Sequence, residues 1–145
     1  MYERDNSLYQ AQTKRALAYA SWEQSFQQYL RDPSTEPDYA RSCSAAQDDL
    51  QQASLLVIRQ IDLLKSWKEP KDWVERLQQL QNFERQKLEL TVKRIMVRWK
   101  CKHESPQDLA LQQQDLQLRR DLAEIVDDIN AIVTEIDFDL HDESF

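Results

Sequence analysis

The sequence contains no glycine, whereas about 7% glycine is usual in proteins. Glycine provides the positive-φ positions of tight turns, β-hairpins and phosphate-binding loops, so the sequence offers little for building those structures. Proline is also scarce, and its four positions fall where the helical periodicity breaks: Pro33, Pro37, Pro70 and Pro106. These absences predict an all-α fold of four long helices.

Other features that the sequence lacks narrow the class of protein. No apolar run approaches about 18 residues, which argues against a membrane-spanning helix. The first residues lack the basic and apolar regions of a secretory signal, and two cysteines do not make a disulfide framework. We therefore expect an intracellular protein, nuclear or cytoplasmic, that does not bind membranes.

Charged residues, by contrast, are abundant. They make up 31% of the chain, against 41% hydrophobic residues, and the net charge is −7. This composition is typical of a helical bundle or a coiled coil. The negative charge argues against a protein that coats nucleic acid through a broad basic surface. The length fits one domain, and we expect residues 1–145 to form it.

Apolar residues recur every three or four positions, which is the period of an amphipathic helix. The predicted helices span about residues 7–30, 36–67, 70–101 and 106–138, with an acidic tail over 137–145. The strictest apolar row lies in the second helix: Tyr39, Cys43, Ala46, Leu50, Ala53, Val57, Ile61, Leu64 and Trp67. Short loops favour antiparallel neighbours, so we predict an up-down-up-down bundle or a coiled-coil-like arrangement.

Three helix starts are predicted from local residue preferences. Thr35 is a candidate N-cap of the second helix, because an acidic residue follows three positions later. Pro70 suits the first turn of the third helix. Ser105, Pro106 and Asp108 match the N-cap, N1 and N3 preferences at the start of the fourth helix.

The third helix has an unusually broad apolar face. Its predicted row is Trp73, Leu77, Leu80, Glu84, Leu88, Thr91, Ile95 and Trp99, and further apolar residues widen it. A face of this breadth is either central in a bundle or covered by a partner. The first helix is shorter than the others, so we expect its neighbours to leave an unfilled end that could dock a partner.

No constellation of catalytic residues is visible. Cys101 and His103 flank a single residue, whereas a zinc site needs about four ligands. There is no nucleophile elbow, no glycine-rich phosphate loop and no cysteine–histidine pairing. We therefore expect no enzyme activity, no cofactor, no bound metal and no small-molecule substrate.

Basic residues crowd the end of the third helix around a tryptophan. The candidate residues for binding a partner or an anion are Lys93, Arg94, Arg98, Trp99, Lys100 and Lys102. Basic residues with an interleaved aromatic ring can bind nucleic acid. The alternative is that these cations complement the helix dipole and keep an exposed face solvated. Because the end of the fourth helix is acidic, antiparallel packing predicts a basic end and an acidic end.

Several patterns carry a resemblance to a known family. Near the start stands Gln12-x-x-Arg15-Ala16-x-Ala18-Tyr19, with Tyr29-Leu30 ten residues on. The third helix contains Leu80-Gln81-x-x-Glu84-x-x-Lys87-Leu88, and Phe138-Asp139 stands near the end. Between them, the family's spacing is matched by Tyr39, Leu50, Ser54, Val57 and Leu64, although we would expect phenylalanine in place of Leu50. Over most of the chain, these patterns resemble the required-for-excision B-type DNA-repair domain family.

The resemblance implies an association with excision repair of DNA and brings no catalytic or metal-binding residues. We therefore expect a non-catalytic protein-interaction subunit with a protein partner. The alternative is a structural coiled-coil subunit of a cytoskeletal, ciliary or kinetochore assembly. A third class, direct DNA binding, depends on the basic end of the third helix alone.

Two charged residues interrupt otherwise apolar rows. Arg15 does so in the first helix and Glu84 in the third, and both belong to the family patterns. Because buried charges are costly unless paired, one interpretation is an ion pair between them. The other is that both side chains extend to the surface and bury only their aliphatic parts.

Overall fold

The computed structural model of the protein describes residues 7–67 and 72–143, with side chains over 7–66 and 72–136. Within these ranges the chain forms four α-helices and no β-strand, which confirms the predicted all-α class. The helices are α1 (Ser7–Arg31), α2 (Glu36–Trp67), α3 (Trp73–His103) and α4 (Leu109–Glu143). A single turn of 3₁₀ helix, Pro33–Thr35, precedes α2.

The chain divides into two compact units, residues 1–70 and 71–145. The first unit contains α1 and α2, and the second contains α3 and α4. In each unit the two helices are antiparallel neighbours, as short connections favour. The prediction that residues 1–145 form one domain stays a prediction.

The first unit has a core rich in alanine. Its fully or almost fully buried residues include Ala11, Ala18, Ala46 and Ala53, together with larger side chains from both helices. Small side chains allow two helices to approach closely, since interaxial distance depends on the residues at the contact. The predicted row of α2 is buried over its second half, at Val57, Ile61 and Leu64.

An aromatic cluster fills the end of this unit nearest the loop. The Tyr39 ring stacks on Tyr29, with centroids 4.8 Å apart, and lies 5.6 Å from the Phe26 ring. Trp22 Nε1 donates a hydrogen bond to the Tyr39 hydroxyl oxygen over 3.4 Å. Burial raises the pKa of the Tyr39 hydroxyl above its ordinary value. The contacts join the C-terminal half of α1 to the start of α2 and fix their antiparallel register.

The predicted N-cap of α2 is wrong. The Thr35 hydroxyl donates to the main-chain oxygen of Asp32 over 2.8 Å, so it belongs to the preceding turn. Asp32 caps the 3₁₀ turn that precedes α2, and its Oδ1 accepts hydrogen bonds from the backbone N and the hydroxyl of Ser34. These bonds hold the pKa of the Asp32 carboxyl below its usual value. A capped 3₁₀ turn thus leads into α2, which begins at Glu36 directly after Thr35.

The register of the second unit is marked by two contacts between α3 and α4. Arg94 Nε lies 2.9 Å from Asp115 Oδ1, and Arg76 Nε lies 3.9 Å from Glu135 Oε2. The numbers rise along α3 as they fall along α4, which establishes the antiparallel pairing. Through residue 136, the buried apolar residues of α4 are Leu118, Ile125, Ile129, Ile132 and Ile136, which follow one another at steps of seven, four, three and four residues, as in an amphipathic helix.

The boundaries of α3 and α4 differ from the predicted ones. The N-cap of α3 is Asp72, and the predicted start at Pro70 lies outside the described residues. The helix ends at His103. The α4 helix continues to Glu143, beyond the predicted end near residue 138. The backbone of the predicted acidic tail is therefore helical as far as Glu143.

The predicted N-cap of α4 is also wrong. Asp108 Oδ1 accepts hydrogen bonds from the backbone N of Ala110 and Leu111, at 2.9 and 3.2 Å, so Asp108 is the cap. The main-chain oxygen of Ser105 accepts from Asp108 N, which closes a turn around Pro106. Proline fits the second position of such a turn, and this preference competes with its preference for a helix N1 position.

The capping assignment predicts that Asp108→Ala is more damaging than Ser105→Ala. Removing an N-cap side chain leaves helix N–H groups unsatisfied and typically costs about 1 kcal/mol. Ser105→Ala should change the free energy of unfolding by about 0.5 kcal/mol or less. Urea denaturation of the two variants measures the difference, and equal losses would contradict the assignment.

Only the first half of the predicted α3 row is buried. Trp73, Leu77, Leu80 and Glu84 are all buried, whereas Leu88, the next member, is exposed. The members that follow it, Thr91, Ile95 and Trp99, are partly exposed. The continuous core row that periodicity predicts is therefore interrupted near the middle of α3.

This difference predicts unequal effects of two leucine truncations in the same helix. Leu80→Ala should lower the free energy of unfolding by about 2–5 kcal/mol, because the side chain is fully buried. Leu88→Ala should cost about 1 kcal/mol or less. Thermal or urea unfolding of both variants measures these costs. A loss at Leu88 as large as that at Leu80 would show that Leu88 is a core residue.

Candidate functional site

The C-terminal half of α3 exposes a row of large apolar side chains. Leu88, Val92 and Met96 are 36%, 42% and 55% exposed, and they follow one another at four-residue steps. Ile95 and Trp99 lie beside them and are partly exposed. Residues three and four apart are neighbours on a helix surface, so these five side chains form one continuous surface. We call Leu88, Val92, Ile95, Met96 and Trp99 the apolar stripe.

A second row of α3 packs in this half of the helix. Its members are Leu90, Arg94, Val97 and Cys101, which follow one another at three- and four-residue steps. Val97 is buried, and Arg94 contacts α4 through Asp115. Burial raises the pKa of the Cys101 thiol, and the carboxylates of Asp115 and Asp108 raise it further. This row therefore faces α4, and the apolar stripe lies on a different side of α3.

One member of the basic cluster packs against α4, and the others are exposed or partly exposed. The basic cluster consists of Lys93, Arg94, Arg98, Lys100 and Lys102. Arg94 is committed to Asp115, with both side chains about three-quarters buried. Lys93, Lys100 and Lys102 are exposed, and Arg98 is partly exposed. The Trp99 ring packs on His103, with centroids 4.1 Å apart. The predicted site residues thus share the last three turns of α3, but Arg94 has a structural contact that the sequence did not reveal.

The second unit is electrically polar. Residues 85–120 contain nine lysines and arginines against four aspartates and glutamates, a net charge of +5. Residues 121–145 contain nine aspartates and glutamates and no lysine or arginine. Because α3 and α4 are antiparallel, the basic range lies around the loop that joins them. The apolar stripe therefore lies at the basic end of this unit.

Arg15 is the centre of a buried polar contact between α1 and α2. Its Nη1 donates to Gln12 Oε1 over 2.7 Å, and its Nη2 lies 3.4 Å from Ser54 Oγ. Arg15 and Glu84 are only 3% and 8% exposed, so the interpretation that they extend to the surface is wrong. Three residues of the family patterns, Gln12, Arg15 and Ser54, thus act together in the packing of the first unit.

The other family positions are mostly structural as well. Tyr29 stacks on Tyr39, and the Tyr19 ring lies 6.1 Å from that of Trp22. Leu80 is fully buried. The partly exposed positions of the α3 pattern are Gln81 and Lys87. Leu88 is the member of this pattern that also belongs to the apolar stripe.

The ion pair predicted between Arg15 and Glu84 stays a prediction, and a double-mutant cycle tests it. If the two charges pair, Arg15→Met or Glu84→Gln alone should cost about 3–5 kcal/mol, because each leaves its partner buried. The double variant should then cost clearly less than the two single losses combined. Urea denaturation gives the four free energies. Additive losses would show that the two residues act independently.

Other candidate sites are weaker. An open groove of about 330 Å³ on the first unit is lined by Tyr9, Gln10, Thr13, Lys14, Leu17 and Asp49. Its lining residues are exposed or partly exposed, and none is a buried polar group aimed at a ligand. In the described parts of the chain, histidine, cysteine and acidic residues form no group that could hold a metal. Nor is any helix there long and apolar enough to cross a membrane.

Comparison with known protein families agrees with the resemblance. The model of the family described as DNA repair REX1-B matches residues 5–98, which is more than half of the chain. The chain belongs to the DNA repair REX1-B family. No curated protein and no solved structure matches it. The matched range includes the stripe from Leu88 to Met96, while Phe138-Asp139 lies beyond it and its resemblance stays a prediction.

Proposed function

We propose that this protein is a non-catalytic subunit that serves DNA repair by binding a protein partner through the apolar stripe of α3. Membership of the DNA repair REX1-B family supports the link to repair. The observation that carries the interaction role is the exposure of Leu88, Val92 and Met96 along one side of a helix. A contiguous exposed apolar surface is typical of an interaction site.

The size and composition of the stripe suit a protein partner. From Leu88 to Trp99 it extends about 16 Å, or three helical turns. Methionine and tryptophan are enriched in protein–protein interfaces, and tryptophan is common among the residues that contribute most to affinity. An anionic nucleic-acid backbone would bind lysine and arginine but would gain nothing from covering Leu88, Val92 or Met96. A protein surface accounts for both kinds of residue.

A complementation experiment tests this proposal. In cells that lack the gene, survival after ultraviolet irradiation should fall, and the wild-type protein should restore it. A variant with Val92→Glu and Met96→Glu should not restore it, because two charges in the stripe would oppose apolar contact. These positions are exposed, so circular dichroism of the purified variant should show an unchanged helical content and melting temperature.

A matched control is available on α4. Leu109 and Leu116 are exposed apolar residues seven positions apart, outside the stripe. A variant with Leu109→Glu and Leu116→Glu adds the same charge and should restore survival fully. Full restoration by the stripe variant would contradict the proposed function, as would normal survival of cells without the gene.

A further inference from the structure

We infer that the partner segment is an acidic amphipathic helix. Its apolar face lies along the stripe, and carboxylates on its two flanks pair with basic residues on both edges of the stripe. This inference rests on the proposed function, because it names the chemistry of the partner that the same surface binds.

Basic residues border the apolar stripe on each side. Lys93 and Lys100 lie three residues before and four residues after Met96, so they line one edge. Arg98 and Lys102 lie three and seven residues after Ile95, so they line the other edge. The three lysines are exposed, and Arg98 is partly exposed. A ligand on the stripe therefore meets positive charge on both sides.

Basic residues outnumber acidic residues around the stripe. Between residues 85 and 104 the sequence contains seven lysines and arginines against two acids, Glu89 and Glu104, which lie at the two ends of the stripe. On the facing half of α4, Asp115 is engaged by Arg94. Gln112, Gln113 and Gln114 precede it and carry no charge. The basic edges therefore keep an electrostatic preference for an acidic ligand.

The shape of the surface favours a helix over other peptide conformations. The stripe follows one uninterrupted helix, with side chains at three- and four-residue steps that form the ridges and grooves used in helix packing. An extended peptide would gain its affinity by pairing with a sheet edge, and the described residues contain no strand. A helix of about three turns matches the stripe in length and presents apolar residues at the same spacing.

Two synthetic peptides of about 18 residues test the inference against the full-length protein. Both carry leucines at helical three- and four-residue spacing, and they differ only in having glutamate or lysine on the flanks. By fluorescence anisotropy, the acidic peptide should bind at least about tenfold more tightly at low salt. Its affinity should fall as salt rises, because exposed charges are screened within about 8–10 Å.

Charge reversal on the protein gives the matched test. A variant with Lys93→Glu and Lys100→Glu should reduce binding of the acidic peptide at least about tenfold and should improve binding of the basic one. Arg119→Glu with Arg120→Glu changes the net charge equally, at exposed positions on α4 outside the stripe. This second variant should retain the preference for the acidic peptide. The stripe variant with Val92→Glu and Met96→Glu should lose binding of the acidic peptide.

The outcomes that would overturn the inference are distinct from failure of the proposed function. Equal binding of both peptides, or binding of neither, would overturn it. So would a DNA duplex that binds through Lys93 and Lys100 and displaces the acidic peptide, since the basic edges would then serve nucleic acid. If the Lys93→Glu and Lys100→Glu variant restores survival while the stripe variant does not, the proposed function stands and the acidic partner is excluded.

Discussion

The organisation of the second unit depends on how much of α3 one neighbouring helix can cover. A helix contacts a partner over only part of its circumference, and α3 carries apolar residues over more of it than α4 covers. In the C-terminal half, α4 packs on the row that contains Val97 and Arg94, and the apolar stripe is left exposed. The candidate interaction surface is therefore the apolar area of α3 that stays exposed after α3 and α4 have packed together.

Charged residues affect the pair of α3 and α4 in two ways. The contact between Arg94 and Asp115 marks the register of α3 against α4, and it removes one cation from the surface. The antiparallel register then determines where the remaining charges lie, with the basic range 85–120 around the loop and the acidic range 121–143 further along α4. The basic residues and the apolar stripe therefore lie at the same end of the unit, because the packing of α3 against α4 determines the position of both.

Much of the fold could be predicted from the sequence, because long helices repeat one pattern many times. The second half of the α2 row is buried as predicted, and the buried isoleucines of α4 follow the same three- and four-residue spacing. Helix starts were harder to predict, since Asp32 and Asp108 compete with neighbouring Thr35 and Ser105, and only hydrogen-bond geometry distinguishes them. Periodicity could not show which of two rows in α3 faces α4. Each row contains one charged residue, Glu84 in the first and Arg94 in the second, so the sequence does not distinguish them.

The alanines of the first unit have a consequence for which substitutions the protein tolerates. Ala11 and Ala53 have no exposed surface, so the side chains around them leave no room for additional atoms. Even one or two extra methylene groups at such a position force side chains out of their preferred rotamers or push helices apart. Where α1 and α2 pack together, increases in volume at the smallest residues are therefore destabilising, as are losses of volume at the largest.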